Sequence, residues 1–138
     1  MSPNVRPALD AGTAAKVIAA AEAKAHEIGV PSTIAAVDES GVLKSLVRMD
    51  GSILASVGVA QDKAYTSAAT GGPTGQWYDV AQADPSFGFG LNSIARFCPL
   101  AGGLPITVDG QVVGGIGASG GTPDQDLEIA AAGLAVLN

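Results

Sequence analysis

The chain has 138 residues, with 7 Lys+Arg against 13 Asp+Glu, and its formal charge of −6 excludes a phosphate backbone as a natural partner. Apolar residues make up 47% and charged ones only 14%. With a mean hydropathy of +0.33, that composition excludes intrinsic disorder and fits one domain built on a single core. In chain order, the Pro-flanked stretch 1–9 reads as a lead, and residues 10–138 read as the domain. Asp10 is placed to cap a helix whose apolar positions Ala14, Val17, Ile18, Ala21, Ala25 and Ile28 fall on one stripe, stopped by Gly29 and Pro31. Thr33 to Val37 and Val42 to Val47 are aliphatic or β-branched runs joined by Asp38-Glu39-Ser40-Gly41, a hairpin signal. An Ala-rich helix is predicted over Ile53 to Ala69, ended by Gly71-Gly72-Pro73. Thr74 to Phe97 has no sustained period and reads as a long aromatic loop, with a short helical turn near Trp77. Asp109-Gly110 joins Pro105 to Val108 with Val112 to Gly117 in a second hairpin, and Thr122-Pro123-Asp124-Gln125 opens a last helix. The order α, ββ, α, loop, ββ, α argues for an α+β domain with helices packed on an antiparallel sheet.

Several chemistries are excluded by what the chain lacks. Cys98 stands alone, which rules out an intrachain disulfide, a cysteine zinc cluster and a thioredoxin-type motif. His26 is also single, so a multi-histidine metal site has no second member within the chain. No metal site is expected. Residues 1–7 carry no apolar signal-peptide core, and no window approaches the roughly eighteen uncharged apolar residues of a membrane span. The expectation is a cytoplasmic chain with no membrane partner.

Gly115-Ile116-Gly117-Ala118-Ser119-Gly120 matches a dinucleotide-binding pattern, but too little chain follows it to build the further βα units such a fold needs. The Gly-rich turn before Thr122 to Asp126 leaves two readings, an anion cradle at a helix N-terminus or a structural turn whose dipole Asp124 and Asp126 already occupy. Arg48 ends a strand beside Asp50, and Lys63 is an isolated cation in an Ala-rich stretch. Each reads either as a partner of a nearby carboxylate, Asp50 or Asp62, or as a cation for a ligand carboxylate. Cys98 reads as a core residue.

Ala35-Ala36-Val37-Asp38 with Gly41, Arg48-Met49-Asp50-Gly51, Ala60 with Lys63-Ala64, Gly102-Gly103-Leu104-Pro105-Ile106, Asp109-Gly110 with Val113-Gly114, and Gly117-Ala118-Ser119-Gly120-Gly121 with Gln125-Asp126 resemble, in order and spacing, the GlcG/HbpS family of small haem-binding or haem-degrading proteins. The same module is similar to the C-terminal domain of the PduO cobalamin adenosyltransferases. The likeness covers roughly residues 10 to 137. It implies a profilin-like fold with a five-stranded antiparallel sheet flanked by helices, homo-oligomers such as tetramers or octamers, and haem binding in some members. Some members place a histidine where this chain has Gly75-Gln76-Trp77, and Tyr65, Tyr78, Met49 or Cys98 are the remaining candidates to face an iron.

Two functional expectations follow. In the first, haem or another planar carboxylate lies at a subunit interface, with Gly102, Gly103, Ser119, Gly120, Gly121, Asp124, Asp126 and Trp77 as binding residues. In the second, the chain is a cofactor-independent tautomerase, isomerase or lyase acting on a small carboxylic acid, with Lys63 as base, Arg48 holding the carboxylate, and Asp50, Tyr65, Asp124 or Asp126 relaying a proton. Low charge further implies self-association, with the Ala faces of the second and last helices (Ala60, Ala64, Ala68; Ala130, Ala131, Ala135) and Trp77, Phe87 and Phe89 as contact surfaces.

Overall fold

In the computed structural model, which describes residues 2–137, helix α1 (Ala11–Ile28) begins where Asp10 accepts the Thr13 N–H at 2.7 Å. That backbone N–H holds the Asp10 carboxyl below its ordinary value. The helix ends at Gly29, whose φ of 71° is the left-handed C-cap that glycine adopts without strain. Ala14, Val17, Ile18, Ala21 and Ala25 are its buried face, as their spacing requires.

Both predicted hairpins are present. Strands β1 (Thr33–Asp38), β2 (Leu43–Arg48), β3 (Gly103–Val108) and β4 (Gln111–Ser119) form one antiparallel sheet in the order β2-β1-β4-β3. At the β3–β4 turn Asp109 and Gly110 have φ of 51° and 76°, the two positive values that a type I′ turn demands. The described residues hold four strands, which corrects the five implied by the family likeness. The chain offers only four runs of strand character, and the segment between the hairpins is spent on helices instead.

The sheet's two faces follow from the alternation of side chains. Ile34, Ala36, Ile116 and Ala118 face a core shared with α1 and helix α5 (Pro123–Leu134). Ala35 and Val37 face helix α2 (Ala55–Thr70) and pack against Ala60 and Ala64. Gly115 and Gly117 lie opposite Val37 and Ala35 in the register, on that same face. A Cβ at Gly115 would collide with the Ala64 carbonyl, and one at Gly117 with the Ala60 carbonyl, so these glycines let α2 lie directly on β4. The glycine pattern that resembles a nucleotide loop is therefore a packing surface for a helix.

This arrangement corrects the expected contact surfaces. Ala60, Ala64 and Ala130 are fully buried within the protomer and are not free to meet a second copy, while Ala131 and Ala135 are exposed. The expected loop from Thr74 to Phe97 is also corrected, because it holds helices α3 (Gln76–Ala83) and α4 (Pro85–Leu91). Asp84 caps α4 by accepting the Ser86 and Phe87 N–H groups, with Pro85 at the first helical position. Trp77 ties the pair down, its ring 5.8 Å from Phe87 and edge-on to Phe97 at 5.5 Å. Helix α5 opens with the capping box Thr122 and Gln125, and a short 3-10 turn (Ala135–Leu137) ends the described chain. No described helix is long and apolar enough to cross a membrane.

Candidate functional site

Lys63 projects from α2 past the end of the sheet, where it meets the first turn of α5. Its Nζ donates to the Ala118 carbonyl and to Asp126 Oδ2, both at 2.9 Å. Asp126 Oδ1 accepts the Gly121 N–H at 2.9 Å. The pair is enclosed, with Lys63 2% and Asp126 4% exposed. Gly102 roofs it: at φ of 120°, a Cβ there would lie 2.7 Å from Asp126 Cβ and 2.9 Å from Lys63 Nζ. A Cβ at the adjacent Gly103 would lie 2.5 Å from Thr74 Cγ2 and 2.6 Å from the Lys63 carbonyl. Gly120, at φ of 141°, is close against Pro31, and Ser119 is buried at the end of β4 beside Thr33. Gly102, Gly103, Ser119, Gly120, Gly121 and Asp126 thus gather around one buried ion pair between α2 and α5, and the partner of Lys63 is Asp126 rather than Asp50 or Asp62. The donors of the Gly-rich turn are already engaged, since the Thr122 N–H goes to Gln125 Oε1 and the Gln125 N–H to Thr122 Oγ1. Asp124 stands exposed beside them.

Arg48 and Asp50 lie elsewhere. With Glu22, His26, Val47 and Met49 they line an open groove of 250 Å³, and Arg48 donates to the Ser52 carbonyl at 3.1 Å. No described contact joins either residue to Lys63. Tyr65 is apart from both, half-buried beneath the Arg96 guanidinium.

The apolar concavity is a cleft of 320 Å³ between the start of α3, the irregular segment leading into β3 and the start of α5, lined by Gly75, Tyr78, Pro99, Leu100, Ala101 and Pro123. Tyr78 and Leu100 are 58% and 53% exposed at its rim, and Phe89 on α4 is 81% exposed. Tyr78 Oη accepts a hydrogen bond from Gln82 Nε2 at 2.7 Å. Of the residues read as able to face an iron, Tyr78 alone lines this cleft. Met49 is buried and its sulfur accepts the Ser32 N–H. Cys98 is half-buried behind Pro99, and burial pushes its thiol up. Trp77 does not line the cleft; it is the aromatic anchor beneath α3, with its indole N–H buried and unpartnered.

Sequence reasoning missed Pro99, Leu100, Ala101 and Pro123. The available signal was Pro99-Leu100-Ala101 ahead of the paired glycines, an apolar run just before a strand. Nothing local says that its leucine faces outward.

Comparison with known proteins places this geometry in a family. The chain is 37% identical over 122 residues to an uncharacterized 15.0 kDa protein from the dhaT-dhaS intergenic region of Citrobacter freundii, covering 88% of this chain and 86% of that one. It is 33% identical over 121 residues to the corrinoid adenosyltransferase PduO of Salmonella typhimurium, covering 86% of this chain but spanning only 36% of that protein. Among solved structures, a double mutant of Streptomyces reticuli HbpS superposes with a TM-score of 0.91 at 32% identity, covering 99% of this chain and 91% of that one. A PduOC:heme complex superposes with a TM-score of 0.86 at 30% identity, covering 95% and 96%. A family model described as haem degrading protein HbpS-like matches residues 9–135, and the chain belongs to the HbpS-like family.

Proposed function

We propose that this chain binds a planar, mostly apolar ligand, with haem the first candidate, in the cleft of Gly75, Tyr78, Pro99, Leu100, Ala101 and Pro123, and that a second copy of the chain covers the part left open. The observation that carries the reading is the cleft itself: its walls are almost wholly apolar, and Tyr78 is the one lining residue with a side-chain oxygen. Apolar walls of proline, leucine and alanine suit the face of a macrocycle, and a tyrosine oxygen is a known type of iron ligand. When bound, haem would supply its redox-active iron; the protein supplies apolar shielding and that oxygen. A family relative crystallised as a heme complex supports the same reading. Exposed Tyr78 and Leu100 at the rim support closure by a partner, since exposed aromatic and aliphatic side chains mark interfaces. The alternative, an enzyme acting on a small carboxylic acid through Lys63 and Arg48, draws less support, because Lys63 is enclosed and Arg48 lies on another surface.

Titration of the protein with haemin is expected to give a saturable shift of the Soret band. Leu100→Asp, which sets a carboxylate in the apolar wall, should weaken binding about tenfold or more. Tyr78→Phe should retain the apolar contacts and change the band positions. Absence of a saturable shift, or an unchanged titration for Leu100→Asp, would remove haem from this cleft.

A further inference from the structure

A larger concavity lies away from that cleft. It is an open groove of 540 Å³ walled by the β1–β2 turn and the start of β2 (Ser40, Gly41, Val42, Leu43), by α2 (Gly58, Gln61, Asp62), and by Arg96 on the segment after α4. Its one cation is held in an unusual way. Arg96 is a non-glycine residue at φ of 63°, a left-handed backbone that costs energy and persists only where the surroundings impose it. Thr66 imposes it here: its Oγ1 donates to the Arg96 carbonyl at 3.1 Å and accepts the Cys98 N–H at 2.9 Å, bolting the segment to α2 on both sides of Phe97.

The guanidinium has neighbours of its own, although it stays 44% exposed. It lies over the Tyr65 ring, 4.1 Å from the ring centre, and its Nε is 3.6 Å from Asp62 Oδ1. Tyr65 is backed in turn by Gly41, where a Cβ would fall 2.6 Å from the ring. Gly41, Tyr65 and Arg96 therefore form a stack that orders the cation before any ligand arrives, while its two terminal nitrogens make no hydrogen bond to the described residues. A planar fork fixed in this way is preorganised for a carboxylate or a phosphate. Around it the wall offers acceptors. Gln61 Nε2 is engaged with the Val57 carbonyl at 3.0 Å, which leaves its Oε1 free, and Asp62 Oδ2 accepts nothing from the described side chains. One bidentate donor beside two side-chain acceptors calls for an anionic head on a body that carries hydroxyl groups.

We propose that this groove is a second binding site, for a small hydroxylated organic anion such as a sugar acid or a sugar phosphate, with Arg96 holding the anionic group and Gln61 and Asp62 accepting from hydroxyls. The site shares no lining residue with the apolar cleft and stands or falls independently of it.

The test is titration of the full chain with D-gluconate, D-glucose 6-phosphate and neutral D-glucose, followed by amide NMR shifts. Saturable shifts at Gly41, Gln61, Asp62 and Arg96 are expected with one or both anions and not with glucose, and the tighter of the two anions identifies the head group. Arg96→Asn removes the fork but suits a left-handed backbone, so the segment keeps its path; affinity should fall about tenfold or more with the melting temperature nearly unchanged. Gln61→Leu leaves Arg96 untouched and should weaken binding severalfold. No saturable shift with either anion, equal binding by glucose, or equal affinity in Arg96→Asn would overturn the proposal. So would an Arg96→Asn variant that changes the oligomeric mass while binding the anions as before, which would make the fork a subunit contact.

Discussion

Lys63→Met should lower the unfolding free energy by about 3–5 kcal/mol, because it leaves the Asp126 carboxylate buried with no cation against it. The pair joins the two helical layers that cover opposite faces of the sheet. Lys63 belongs to α2, Asp126 to the first turn of α5, and the Ala118 carbonyl and the Gly121 N–H complete the network at the end of β4. Little room exists for relaxation, since Gly102 presses on both side chains from above. The double variant Lys63→Met with Asp126→Leu removes both charges and should recover most of the loss, as apolar replacements of buried pairs commonly do. Chemical denaturation of the single and double variants checks this. A Lys63→Met protein as stable as the parent would show that the ammonium is not the clamp the geometry describes, and would reopen its use as a base.

Gly117→Ala is the second large effect, expected at about 3 kcal/mol or more, at or above the upper end for overpacked cores. The added methyl meets backbone rather than a side chain that could swing away: the Ala60 carbonyl directly and the Ala64 nitrogen at 2.6 Å. Relief requires α2 to lift off β4, which also strains the Lys63 node one turn along. The same substitution at Gly58, within α2 and with nothing within 4 Å of its added Cβ, should instead stabilise by about 0.5–1 kcal/mol. Thermal melts of the two variants should therefore move in opposite directions. Equal shifts would refute the reading of Gly117 as a helix seat.

How much of this was legible in the sequence depended on whether the governing interaction was local. Asp10, Gly29, Thr122 and Asp109-Gly110 act within a few residues of themselves, and the elements they bound appear where those residues predict. For α3 only a short helical turn near Trp77 was legible, and α4 was missed, for physical reasons. Helix α3 has eight residues and fully buries none of them, so its apolar positions Trp77, Val80 and Ala81 make too short a stripe to stand out, and α4 holds two glycines in seven residues. Asp84-Pro85-Ser86 did carry the start signal for α4, but it was outweighed by the surrounding Gly and aromatics. The partner of Lys63 lies 63 positions away and was out of reach, because only the docking of α2 and α5 at one end of the sheet selects Asp126 over the nearer Asp62. The fifth strand came from family likeness and not from the residues, whose own pattern supplies four. The apolar cleft depends on Leu100 facing outward, and burial of a leucine is set by tertiary packing that no local spacing reveals.

The location of bound haem is the most direct measure of the central claim. Ferric haem broadens the amide resonances of nearby residues, so a substoichiometric addition to isotopically labelled protein maps its position. Selective loss of the Gly75, Tyr78, Leu100 and Ala101 signals is expected, with the Arg48 to Asp50 segment and His26 unaffected. Broadening centred instead on His26, Arg48 and Asp50 would place the ligand in the groove of the lone histidine and contradict the assignment of the cleft.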